Sequence, residues 1–230
     1  MKHSLQTLTV AFVAGSFQLA GAGEISGKVS LKGNPKPEVE IPLTPSCGKL
    51  NANKVTTRHY VVGKDGGLAN VFVYLKDAKA TAATGAGPLL DQVGCMYDPY
   101  VIGVVTGQKF TVRNSDTELH NVHATPKLNK EFNFGQPIKG QVNEKSFDQA
   151  EVLVRMKCDV HPWMFAYVGV VDHPYFAVTD KDGNFKIAGV PDGKYTIVAY
   201  HLKTHGANAG LSEAVEIKGT AAKDFTVTLP

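Results

Sequence analysis

Lys157-Cys158-Asp159-Val160-His161-Pro162-Trp163-Met164 sets a thiol, an imidazole and a thioether at C-x2-H-x2-M spacing. Three donors that close in sequence suit a loop folded around one metal ion. Upstream, Leu119-His120-Asn121-Val122-His123 offers a second imidazole, from His120 or His123. Two His nitrogens and a Cys thiolate, with a weak axial Met, are the donors of a blue-copper electron-transfer site. Soft sulfur ligands favour copper, whereas zinc more often recruits further Cys, His or carboxylate groups. The expected cofactor is one type 1 copper, and the expected role is carrying electrons.

Around this stretch nearly every patterned segment reads as strand, with apolar and polar positions alternating between Gly, Pro, Asn and Asp. Ile25 to Leu31, Lys109 to Arg113, Glu151 to Arg155, Asn184 to Ile187 and Asp224 to Leu229 alternate cleanly. Val71 to Leu75 and Tyr195 to Tyr200 are more continuously apolar, as buried sandwich strands can be. No long segment carries a helical period. Asp180-Lys181-Asp182-Gly183-Asn184 is a hairpin turn and not a calcium loop, because its Gly comes too early for the EF-hand pattern. Short strands at regular spacing predict an all-β sandwich architecture.

The chain has 230 residues, enough for one large or two small domains. Its 24 basic and 21 acidic side chains leave a net charge of +3, too little to suggest nucleic acid as partner. Met1-Lys2-His3, an apolar stretch from Leu5 to Leu19 and Ala20-Gly21-Ala22 read as a signal peptide over residues 1–22. The expected location is therefore periplasmic or secreted. No later segment approaches the roughly 20 apolar residues of a membrane span, so no transmembrane anchor is expected in the mature chain. An oxidising compartment permits disulfides. With Cys158 assigned to a metal, Cys47 and Cys95 remain as a pair, the alternative being two free buried thiols.

Cys95 to Val171, about a third of the chain, resembles the cupredoxins of amicyanin and plastocyanin type. The resemblance rests on Pro99 to Val112, on His120-Asn121-Val122-His123, and on the short loop Cys158 to Met164. It implies His120 rather than His123 as first ligand, followed by Cys158, His161 and Met164, and a role for Asn121 in tying the two ligand loops. It also implies electron exchange at an exposed edge of His161, within an apolar collar of Pro162, Trp163 and Phe165. Lys157 departs from the family, which tends to an aromatic or His there, and Pro126 to Phe147 has no simple counterpart.

The flanks resemble carboxypeptidase regulatory-like domains, which are transthyretin-like β-sandwiches without catalytic activity. Ile25 to Val29, Leu68 to Leu75, and Val178 through Ile197 carry that likeness. Because these pieces lie on both sides of the ligand motif, the expected layout is a Greek-key cupredoxin sandwich at 85–172 inserted into an outer sandwich at 23–84 and 173–230. The alternative is a simple tandem.

His59, His173, His201 and His205 are scattered and form no H-x-H pair for a second copper centre, so no enzyme activity is expected. The expected partner is a redox protein such as a c-type cytochrome or a periplasmic dehydrogenase. The competing reading is a cell-envelope binding module or copper carrier.

Overall fold

A computed structural model describes residues 22–205 and 210–229, and the signal-peptide expectation falls outside them apart from Ala22. Among the described residues the regular structure is almost wholly β, with two short helices, arranged as two sandwiches. Among the described residues no helix is long and apolar enough to cross a membrane.

One sandwich uses strands from both ends of the chain. Strand β1 (Ala22–Lys32) and β2 (Phe72–Leu75) come from the first third of it. The second sandwich is then built from β3 (Leu89–Val93), β4 (Met96–Asp98), β5 (Val101–Val105), β6 (Phe110–Asn114), β7 (His120–Thr125), β8 (Phe132–Gln136), β9 (Val142–Lys145), β10 (Glu151–Lys157) and β11 (Phe165–Val171). The chain returns to the first sandwich with β12 (Phe176–Val178), β13 (Asn184–Pro191), β14 (Gly193–Tyr200), β15 (Leu211–Ile217), β16 (Thr220–Ala222) and β17 (Phe225–Thr228). In the outer sandwich β1 pairs with β13, β16 and β17, facing a sheet of order β12-β2-β14-β15. The inner one has sheets of order β5-β11-β10-β7-β8 and β4-β3-β6-β9.

Alternation explains the packing. On β1, Ile25 and Val29 point into the outer core with Phe185, Ile187, Phe225 and Val227. Val71, Val73 and Leu75 join them. The intervening Phe72 is nevertheless fully buried, in a third cluster with Tyr100, Val101, Leu153, Tyr167, Val171 and Tyr200 that joins the two sandwiches. That second buried face is why Val71 to Leu75 reads as a continuous apolar run.

Two glycines make the junction possible. Gly103 on β5 and Gly169 on β11 are directly paired, and the Phe72 ring lies against both. A Cβ on Gly169 would meet Phe72 carbons at 2.5 to 2.7 Å, and one on Gly103 would meet Phe176 at 2.3 Å. Close approach of a ring to the sheet therefore requires glycine there.

The 126–147 segment adds edge strands to both inner sheets: β8 pairs with β7 and β9 with β6. Phe132 and Phe134 pack on the inner core, with the Lys145 ammonium over both rings. At the turn before β13, Asp180 Oδ1 accepts the backbone N–H groups of Asp182 and Asn184, as a hairpin cap does.

Candidate metal centre

Strand geometry delivers the donors. His120 is the first residue of β7, and the loop from Cys158 to Met164 joins antiparallel neighbours β10 and β11. The loop closes on itself: Cys158 N–H donates to the Met164 carbonyl (3.0 Å) and Met164 N–H to the His161 carbonyl (2.9 Å). Asn121 ties it to β7, its Oδ1 accepting Asp159 N–H (2.6 Å) and its own N–H reaching Cys158 Sγ (3.5 Å).

The result brings together His120, Cys158 and His161, all buried, their donor atoms within 4.8 Å of one another. The two Nδ1 atoms of His120 and His161 are 3.0 Å apart, and Cys158 Sγ lies 3.7 Å from His161 Nδ1. A first-row metal holding nitrogen at about 2.0 Å and thiolate at about 2.3 Å, with angles of about 100 to 120°, needs donor separations of about 3.0 to 3.7 Å. The residues fit such an ion. Met164 is fully buried in the same core as Cys158. His123 is elsewhere: its Nδ1 meets Asp159 Oδ2 (2.8 Å) and its Nε2 meets Glu131 Oε1 (2.7 Å). Three residues along a strand from His120, it faces the opposite side of the sheet.

The protonation pattern follows from the neighbours. His120 Nε2 lies 2.9 Å from Asp116 Oδ2. Burial opposes charge on His120, but the hydrogen bonds and charges of Asp116 and Cys158 outweigh it, and its pKa is pushed up to about 9. Burial likewise opposes the Cys158 thiolate. The hydrogen bond from His120 and the N–H groups of Asn121, His161 and Val160 prevail, lowering its pKa. Burial and the neighbouring His120 charge push His161 down. These neighbours favour the charged forms of His120 and Cys158, and a metal held there would need His120 Nδ1 free of its proton.

One expectation is overturned. The edge of His161 is not exposed: the residue is 4% accessible, and its Nε2 lies 3.4 Å from Cys47 Sγ. Cys47 sits in α1 (Pro45–Lys49), whose start is capped by Thr44 accepting Cys47 N–H, and it is bonded to Cys95. Ser46 Oγ donates to Glu118 Oε2 (3.0 Å), and Asn51 Nδ2 donates to the Cys47 and Gly94 carbonyls (2.9 Å each). Arg58 extends the attachment, donating to the Tyr97 carbonyl (3.0 Å) and lying over the Tyr100 ring.

Of the expected collar, only Pro162 is exposed. Trp163 is half-buried with its indole N–H donating to the Cys95 carbonyl (3.1 Å), and Phe165 lines a small pocket with Ile41, Arg58 and Tyr100. The reason is the segment between β1 and β2, whose lack of a strand or helix period hid where it would lie. Asp116 was missed as well, because a carboxylate four residues before a His carries no pattern on a β-chain.

No family model matches the chain, and no curated protein does. Among solved structures, a copper-containing nitrite reductase (NirK) from Thermus scotoductus SA-01 superposes with a TM-score of 0.36 at 16% identity, over 43% of this chain and 25% of that one. A mutant of amicyanin in the Cu(I) state gives 0.33 at 25% identity, over 43% of this chain and 97% of that one. A purple cupredoxin from Nitrosopumilus maritimus gives 0.30 at 21% identity, over 36% and 98%. This chain spans a quarter of the length of the nitrite reductase.

Proposed function

We propose that this chain is an exported type 1 copper protein that carries electrons, holding one copper through His120 Nδ1, Cys158 Sγ and His161 Nδ1, with Met164 as the weak axial ligand. The observation that carries this reading is the buried convergence of two imidazoles and a thiolate from positions up to 41 residues apart. Bound there, copper would supply a one-electron Cu(I)/Cu(II) couple. The protein's part is to hold the donors. Asn121 locks the two ligand loops, the β10–β11 loop closes through its own backbone, and the core around Cys158 and Met164 excludes water.

The Cys47–Cys95 disulfide supports export, since such bonds persist in oxidising compartments. Transfer to a c-type cytochrome or periplasmic dehydrogenase has to cross the Cys47 cover or pass beside it, where Val160 and Pro162 are exposed. The outer sandwich, with its parts on either side of the inner one in sequence, acts as a non-catalytic scaffold of transthyretin-like type.

The cover over His161 favours a second reading, a copper carrier of the cell envelope, because it shields the metal from a redox partner while leaving the ligands intact. Two measurements separate the alternatives. Copper titration should saturate at one equivalent and be lost in Cys158→Ser; unchanged uptake by that variant contradicts both readings. Rapid, reversible exchange of one electron with a small redox reagent supports the electron carrier, whereas slow exchange with ready transfer of Cu(I) to a chelating peptide supports the copper carrier.

A further inference from the structure

Asp116 occupies an unusual position beside the candidate centre. Its side chain is 4% accessible, and its two oxygens meet three nitrogens. Oδ1 accepts Gly94 N–H at 2.7 Å, while Oδ2 accepts Cys95 N–H at 2.8 Å and lies 2.9 Å from His120 Nε2. The carboxylate is itself fixed: Asp116 N–H donates to Asn114 Oδ1, and Asn114 Nδ2 donates to the Glu118 and Gln136 carbonyls. A single buried anion thus joins the turn carrying Cys95 to the far nitrogen of His120.

We infer that Asp116 is a positioning residue that fixes His120 as the Nε2–H tautomer and biases the bound metal toward Cu(II). This rests on the copper reading above. With Nε2 donating to a carboxylate, Nδ1 is left with the lone pair that faces Cys158 and His161, and the ring cannot rotate without taking one of three donors from a buried anion. A neutral carbonyl partner would orient the ring equally well. A carboxylate also places negative charge one imidazole away from the metal, which stabilises the more highly charged Cu(II) state and makes His120 a stronger donor. The Cys95 N–H on the same oxygen links this effect to the disulfide turn over His161.

Asp116→Asn tests the inference, because it retains an acceptor but removes the charge. The variant is expected to bind one copper, keep the thiolate-to-copper absorption band, and favour Cu(I) by about tenfold or more, a rise of at least about 59 mV for a one-electron couple. Asp116→Glu, which keeps the charge, should shift the equilibrium by less than half as much on a logarithmic scale. An intact band with an unchanged Cu(I)/Cu(II) equilibrium in the Asn variant overturns the inference while leaving the copper reading standing. Absence of the band in the unaltered protein overturns both. Should the variants fail to fold, nitrogen NMR of the unaltered Cu(I) protein decides: a His120 Nε2–H protected from exchange with solvent supports the inference, and a bare or freely exchanging Nε2 refutes it.

Discussion

Severing the Cys47–Cys95 bond with Cys47→Ser and Cys95→Ser removes a crosslink between residues 48 positions apart. In the chain-entropy treatment, a loop of that size constrains the unfolded state by about 14 cal/mol/K, or about 4 kcal/mol at 25 °C. Both cysteines are fully buried, so the serine hydroxyls gain no contact with bulk water to offset the loss. The covering segment keeps its other ties, from Ser46 to Glu118, from Asn51 to Gly94 and from Arg58 to Tyr97. The fold should therefore persist in the double variant, with a lower denaturant midpoint. Urea unfolding followed by tryptophan fluorescence is an apt assay, since Trp163 is the chain's one tryptophan and donates to the Cys95 carbonyl. A loss near 4 kcal/mol is expected, with a somewhat larger m-value because the unfolded chain without the crosslink is less compact. A loss below about 1 kcal/mol would show that the disulfide does not constrain the unfolded chain as the 48-residue separation requires.

Two further outcomes follow from buried groups away from the metal ligands. Phe72→Ala should cost about 3 to 5 kcal/mol by opening a cavity between the sandwiches. Gly169→Ala should be strongly destabilising alone but much less so in the Phe72→Ala background, because the ring that its Cβ would strike is gone; additive losses in the double-mutant cycle would contradict the packing. His173, 4% accessible, has Nε2 at 2.6 Å from the Leu75 carbonyl, and burial depresses its pKa below the ordinary 6.5. Its contribution to stability is thus present above pH 6.5 and lost as pH falls through the folded-state value. Denaturant melts of the metal-free protein at pH 7.5 and 5 should show this loss, and His173→Gln should lessen it; an equal acid loss in the variant would count against the assignment.

Much of the β architecture was readable because burial on one face leaves a period of two. Ile25 to Leu31, Lys109 to Arg113 and Asn184 to Ile187 fall within β1, β6 and β13, or within one residue of them. The run Val71 to Leu75 reads as a buried sandwich strand, and the structure adds that its second face packs on the inner sandwich. Loop spacing alone groups Cys158, His161 and Met164, whereas His120 rather than His123 is implied only by the cupredoxin resemblance; the donor atoms of His120, Cys158 and His161 lie within 4.8 Å of one another. The cover over His161 was not anticipated. Pairing Cys47 with Cys95 follows from counting cysteines, but which surface the pair would lie on depends on tertiary contacts of residues 44–58 that leave no period in the sequence. Asp116 was hidden for the same reason: its role comes from a turn that folds a carboxylate back onto the ring four residues ahead.

The most direct test of the central claim is the visible and EPR spectrum of the protein, residues 23–230, titrated with Cu(II). The account predicts an intense thiolate-to-copper band at the red end of the visible range with narrow copper hyperfine splitting, complete at one equivalent and absent in Cys158→Ser. A colourless protein, or one showing only an ordinary tetragonal copper signal, would contradict it.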